Sequence, residues 1–365
     1  MSVFSILLFL AILLVLVLVH EFGHFAVAKL TNMRVDEFAF GFPPTIFSIK
    51  KGETKYAINS LPLGGYVAIW GENGDPDTIA KTHPRAFNNR PWWAKAAVLI
   101  AGVFMNMVLA LVIFVFISHG EVTISTDNPE YGSRVKNTSL LVVDAAKESP
   151  AYKAGIVPGS TILRVTSAGR VADLSTATSL VSFIGAHGND AITITYRHMD
   201  GFTATTTIMA VYGIVPEKKA IGISLDTVGT VKTTWKEALS LGYERTKDIT
   251  LLTVDGLKML VQMLFRGESV IESLSGPVGI AKMVGETSEY GSNAVLTLIA
   301  VLSINLAVFN ILPFPALDGG RLIVVTIEAI IRKRIPFRYY SWLNVASFVL
   351  LILLLVVVTI HDFKV

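Results

Sequence analysis

Four unbroken apolar stretches punctuate the chain. Residues from about Phe4 to Leu30, Ala94 to Ser118, Ala294 to Leu312 and Trp342 to Ile360 are each long and nonpolar enough to span a bilayer as a helix. Trp92 and Trp93 precede the second, and Tyr339, Tyr340 and Trp342 open the fourth, as an interfacial aromatic belt would. Between the spans the period changes. From 35 to 70, short apolar runs alternate with turn residues: Phe38 to Pro44, Ile46 to Ile49, Lys55 to Ile58 around Lys51-Gly52-Glu53-Thr54, then Leu61 to Val67. This predicts short strands, either dipping into the membrane with an edge that could hold an extended peptide, or forming an ordinary cytoplasmic hairpin. From Thr123 to Asp226 the alternation is that of strands (Leu140–Val143, Thr161–Val165, Ala191–Tyr196, Thr203–Met209, Ile221–Ser224), with helices near Ser149–Ala154 and Leu174–Ile184. From Thr234 to Phe265 it becomes helical and amphipathic, suited to a membrane surface or to packing on the preceding domain.

Composition agrees with this reading. In 365 residues, 52% are hydrophobic and 16% charged, and the mean hydropathy is +0.58, the range of membrane proteins. The net charge of +3, with basic residues spread among acidic ones and not gathered in a stripe, gives no reason to invoke nucleic acid. There is no cysteine, so any metal must be held by His, Asp or Glu. The N-terminus lacks a basic leader region and a small-residue cleavage site, and is expected to remain as a transmembrane helix.

The loops between spans one and two (Arg34, Lys50, Lys51, Lys55, Lys81, Arg85, Arg90) and between spans three and four (Arg321, Arg332, Lys333, Arg334, Arg338) are rich in basic residues. The positive-inside rule makes both cytoplasmic, which places both termini and the long 119 to 290 segment outside.

Candidate chemistry lies near the end of the first apolar run, in His20-Glu21-Phe22-Gly23-His24. On a helix, histidines four residues apart share a face and can both ligate one ion, with Glu21 beside them as a general base. Zinc suits this set, since a catalytic zinc takes three protein ligands and leaves one position open. Ionisable groups at membrane depth are costly to place and mark functional sites. His20 and His24 fall about 25 Å below the outer end of the first span, at about 1.5 Å per residue. The other histidines (His83, His119, His187, His198, His361) fall in a polar loop, at outer span ends or in the outer domain. Asp318 is at a suitable depth, in the Pro- and Gly-broken stretch Asn310 to Gly320. It is either the third ligand or a cap for a helix from Arg321 to Ile331. Asn106, with Gly102, gives span two a small hydrogen-bonding face of the kind used for helix packing.

Together these features resemble the site-2 protease family of intramembrane zinc metalloproteases, most closely the bacterial branch that includes the regulator of sigma E protease. The motifs that carry the resemblance run in order along nearly the whole chain: His20 to His24, the strands, Ser149 to Leu163, Ser275-Gly276-Pro277-Val278-Gly279, and Asn310 to Gly320. Ser149 to Leu163 resembles a PDZ domain, which binds peptides by strand addition, although Ser160 stands where that family usually has Asp. Val103 likewise stands where the protease family often has Pro.

The resemblance implies a polytopic α-helical membrane protein with four transmembrane helices, a membrane-associated β-hairpin region and one inserted extracytoplasmic PDZ-like domain. Its expected divisions are 1–118, 119–230 (PDZ-like), 231–290 (amphipathic linker) and 291–365. It further implies Zn2+ held by His20, His24 and Asp318, Glu21 as base, and Asn310, Pro313, Pro315, Gly64 and Gly65 as substrate contacts. The expected location is a bacterial inner membrane. The expected partners are the bilayer and membrane proteins with a transmembrane helix, cleaved in regulated intramembrane proteolysis such as release of an anti-sigma factor or removal of remnant signal peptides. Two other classes use the same residues differently. A catalytically dead PDZ receptor needs no metal, and a zinc or proton-coupled transporter needs no Glu21 base.

Overall fold

Residues 2–72, 83–199, 201–215, 218–333 and 335–363 are described by the computed structural model. Lys81 and Arg334, counted above among the basic loop residues, and the side chain of Tyr340 lie outside that description. In chain order the helices are α1 (Val3–Leu30), α2 (Trp92–Ile117), α3 (Pro150–Lys153), α4 (Ala177–Ala186), α5 (Trp235–Phe265), α6 (Pro277–Ser288), α7 (Ser292–Asn310), α8 (Asp318–Ile331) and α9 (Phe337–Asp362). The strands are β1 (Val35–Lys51), β2 (Thr54–Ile69), β3 (Gly120–Ser125), β4 (Lys136–Ala145), β5 (Thr161–Ser167), β6 (Arg170–Val171), β7 (Ile192–Arg197), β8 (Thr203–Ile208), β9 (Val211–Val215), β10 (Lys218–Ala220) and β11 (Ile223–Thr233). They form two compact units, Met1–Phe116 with Ser240–Val365, and Ile117–Leu239.

In the first unit, α1, α2, α7 and the stretch Ser341–Asp362 of α9 are long and apolar enough to cross a membrane. Their sequences become helices because a segment without water must satisfy every backbone N–H and C=O internally. Phe4, Leu7, Phe104, Phe116 and Phe348 stand exposed on their outer faces, the surface that lipid would cover. Ser2 starts α1 by accepting a hydrogen bond from the Ser5 amide at 3.1 Å, and Asn32, in the left-handed conformation, follows its end.

β1 and β2 are long, bent strands. Phe38 pairs with both Val67 and Tyr56, and Ile49 also pairs with Tyr56. The result is a four-layer order: 65–69, 35–40, 55–58, then 47–51. The 65–69 segment is therefore an edge, and its open side pairs with no strand among the described residues. At the β1–β2 turn, Glu53 accepts from Arg85 at 2.8 Å through both nitrogens and from Lys29 at 2.7 Å, tying the end of α1 to the loop before α2. These bonds, that from Arg85 foremost, hold the Glu53 carboxyl down at about 2.

The amphipathic helix α5 starts at a capping box, with Glu237 accepting from the Thr234 amide at 2.8 Å. From Ser240 on it belongs to the unit of apolar helices, where Gly242 faces Val115 and Thr253 donates to Asn305 at 2.9 Å. From Ser240 on it thus packs on α2 and α7, while its start, Trp235 to Leu239, belongs to the other unit, where Glu237 pairs with Arg134 and Trp235 stacks on His119.

The second unit is an antiparallel sheet ordered β3-β11-β4-β5-β7-β8, with β6 on β5. Its inward-facing residues, among them Leu140, Val142, Ile162, Ile192 and Ile194, bury against Leu180 and Ile184 of α4. Each such side chain stabilises the unit by about 1.5–3 kcal/mol. Ser149 caps α3 by accepting from the Tyr152 amide at 3.2 Å.

Candidate active site

Helical spacing alone aligns His20 and His24 on one face of α1, and both are buried, at 7% and 8% exposure. Their Nε2 atoms are 3.1 Å apart. The third member comes from the far end of the chain. α7 ends at Asn310, the two prolines prevent continuation, and the chain turns back so that α8 begins at Asp318. Gly319 and Gly320 make the turn possible, since a Cβ at either would overlap the carbonyl of Ile311 or of Phe314.

Asp318 opens α8 three residues earlier than the expected start at Arg321. It does not cap the helix, because the N-cap position is Leu317 and no side chain bonds there. Its carboxylate points instead at the imidazoles, with Oδ2 3.1 Å from His20 Nε2 and 3.3 Å from His24 Nε2. That oxygen is buried without a hydrogen bond among the described residues.

Three ligand atoms at mutual distances of 3.1, 3.1 and 3.3 Å fit a single tetrahedral ion. Zinc bonds of about 2.0–2.1 Å space their ligand atoms about 3.3 Å apart. Among the described residues, these three form the one His/Asp/Glu group able to hold a metal.

Glu21 lines the same cavity, of about 400 Å³, and so does the edge strand. Gly65 lets that strand press against α1, because a Cβ there would lie 2.9 Å from Val17 and 3.3 Å from Glu21. Of the expected substrate contacts, Asn310 and Gly65 line the cavity, whereas Gly64, Pro313 and Pro315 do not. The prolines shape the loop before Asp318, and Gly64 abuts the Phe42 ring, with a Cβ there 3.0 Å away.

Two features escape the sequence reading. Glu72 and Arg321 pair on the cavity wall, joining the end of the β region to α8 one turn beyond Asp318. Burial pushes the Glu72 carboxyl up, against the pull of Arg321. Span two also does more than pack. The carbonyl of Val98 accepts from His24 Nδ1 at 2.8 Å, Gly102 abuts both imidazoles, and Asn106 lies 3.2 Å from His20 Nδ1. The i, i+4, i+8 spacing of Val98, Gly102 and Asn106 was the available signal.

The model of a family described as Peptidase family M50 matches residues 8–354. A protein of Clostridium perfringens, named provisionally as a zinc metalloprotease, is 35% identical over 350 residues, covering 95% of this chain and 95% of its own. One of Clostridium acetobutylicum with the same kind of name is 32% identical over 362 residues, covering 99% and 98%. Zinc metalloprotease RasP of Geobacillus kaustophilus is 27% identical over 440 aligned positions, covering 99% and 98%.

Proposed function

This chain belongs to peptidase family M50 and is a zinc metalloprotease, and from that premise we propose that it cleaves peptide bonds within the transmembrane segments of membrane-protein substrates. One observation carries the proposal. Two buried histidines, Asp318 and a glutamate share a cavity beside a helix apolar enough to span a membrane, with a strand edge on its wall next to Glu21.

In this reading His20, His24 and Asp318 hold the Zn2+. When bound, the ion supplies Lewis acidity and makes water ionisable near neutral pH. Glu21 takes the proton of the attacking water and returns it to the leaving amine. A substrate helix keeps its amides in internal hydrogen bonds, so the scissile stretch has to unwind before attack. The open edge at Gly65 to Ile69 compensates by pairing with the exposed backbone beside Glu21, and Asn310 binds the substrate backbone from the opposite wall. Gly64, Pro313 and Pro315 then act by shaping the loop and the strand.

The basic loops support a bacterial inner-membrane protein whose termini and residues 119–230 are extracytoplasmic. In that segment the antiparallel sheet with Ser149 to Leu163 and α4 supports a PDZ-like module, followed by the amphipathic linker 231–290 and the last two spans in 291–365.

Zinc analysis combined with cleavage of a generic transmembrane peptide tests this. His24→Ala and Asp318→Ala are expected to lose the roughly one zinc per chain and all cleavage. Full zinc in Asp318→Ala, or cleavage by a zinc-free variant, contradicts the assignment.

A further inference from the structure

Once two imidazoles ligate one ion through Nε2, each Nδ1 carries a proton that needs an acceptor. α2 faces the two rings with Val98, Gly102 and Asn106, one residue per turn on one side of the helix. For His24 the acceptor is in place, the Val98 carbonyl oxygen at 2.8 Å. Gly102 keeps the helix close enough for this, since a Cβ there would lie 2.7 Å from His20 Cε1 and overlap His24 Nε2. At its own position on α1, Gly23 performs the reciprocal service, because a Cβ there would overlap the Ala101 carbonyl.

For His20, among the described residues, one polar side chain stands at Nδ1. Asn106 has no exposed surface, and its side-chain nitrogen lies 3.2 Å from His20 Nδ1 while its Oδ1 is buried without a hydrogen bond among the described residues. The oxygen and nitrogen of an amide are nearly interchangeable in shape and are assigned from their partners. A nitrogen donating to Nδ1 would put the ring proton on Nε2 and stop that atom from ligating anything. The backbone under Asn106 is held in register, since its carbonyl accepts from Ser303 of α7 at 2.8 Å.

We propose that Asn106 is a positioning residue for the metal centre: its side-chain Oδ1 accepts the Nδ1 proton of His20, fixing the tautomer and orientation of that ligand as the Val98 carbonyl fixes those of His24. The inference rests on the reading of His20 as a zinc ligand. α2 thereby contributes no ligand but sets both imidazoles.

The test measures zinc affinity of the full-length protein in lipid nanodiscs by chelator competition, beside thermal unfolding of the metal-stripped protein. Asn106→Leu, alike in branching and heavy-atom count and without an acceptor, is expected to weaken zinc about 10–100-fold. Asn106→Asp, which can only accept, is expected to hold zinc within about threefold of the wild type. Wild-type affinity in Asn106→Leu overturns the proposal, even where the metal-stripped protein loses stability, because that pattern means packing alone. Should Asn106→Leu fail to fold, Asn106→Asp decides: retained affinity supports an accepting partner, and a loss of tenfold or more, the mark of a donating amide, overturns it. His20→Ala separates the two levels. If zinc affinity survives that substitution, the ligand assignment fails; if it is lost while Asn106→Leu binds normally, only the role of Asn106 fails.

Discussion

The two compact units differ in the polar side chains they bury. In Ile117–Leu239 the core is mainly aliphatic, its buried polar residues are small hydroxyls such as Ser149, Ser160 and Ser167, and the sheet's open face carries Thr–Thr pairs such as Thr193 with Thr207 at 3.1 Å and Thr195 with Thr205 at 3.0 Å. In the other unit the outer faces carry Phe, Leu and Val, and His20, His24, Asn106 and Ser303 are inside. A water-solvated sheet buries nonpolar area because that is its main driving force. Helices in lipid gain little from burying one apolar face rather than another, so close approach and hydrogen bonds decide what packs inside. A buried residue in the first case speaks of stability, and a buried polar residue in the second speaks of chemistry.

Substitutions on either side sharpen or break this contrast. The largest effect is expected from Glu21→Gln, which keeps shape and removes the base. Cleavage of a transmembrane peptide should fall by about 10²–10⁴-fold with zinc content unchanged, and near wild-type turnover would remove Glu21 from the mechanism. Next in size is Leu180→Ala in the other interior, where loss of the buried side chain should cost about 2–5 kcal/mol in unfolding of that unit. Zinc per chain should not change, and a parallel loss of zinc would show that the contrast is false.

Gly102→Ala should act in the reverse sense, because its methyl group meets both imidazoles. Zinc affinity is expected to drop about 10–100-fold in chelator competition, and wild-type affinity would mean that α2 is free to move away.

The smallest effect concerns Glu53, whose carboxyl lies at about 2 in the folded protein against about 4.3 when unfolded. The depressed value makes its contribution fully present above about pH 4.5 and lost as pH falls toward 2. With its side chain 31% exposed, solvent screening limits that contribution to about 1 kcal/mol. Acid unfolding curves of wild type and Glu53→Gln should therefore converge as pH falls to about 2. A constant gap across that range would assign the effect to packing.

Sequence legibility follows the same divide. The four spans and α5 are readable because apolar runs and an amphipathic period are local properties, and Thr234 with Glu237 marks the start of α5. β3, β9 and β10 escape because three to six residues carry too little periodic signal. The pairing of 35–40 with both ends of β2 depends on bends that no local pattern announces. At the site, His20, Glu21 and His24 are legible as one helical turn, whereas Asp318 is visible only through its Pro- and Gly-broken surroundings. The Val98 carbonyl is invisible in principle, since every residue has one. Glu72 and Arg321 lie 249 residues apart and meet only in the fold.

The proposed cut lies at membrane depth, beside His20, His24 and Asp318. Mass-spectrometric mapping of the cut in a model transmembrane peptide, reconstituted with the full-length zinc-loaded protein in liposomes, tests it most directly. The expected result is a single cut inside the peptide's apolar span, absent with Glu21→Gln despite full zinc. Cuts confined to the water-exposed flanks, or an unchanged pattern with Glu21→Gln, would contradict it.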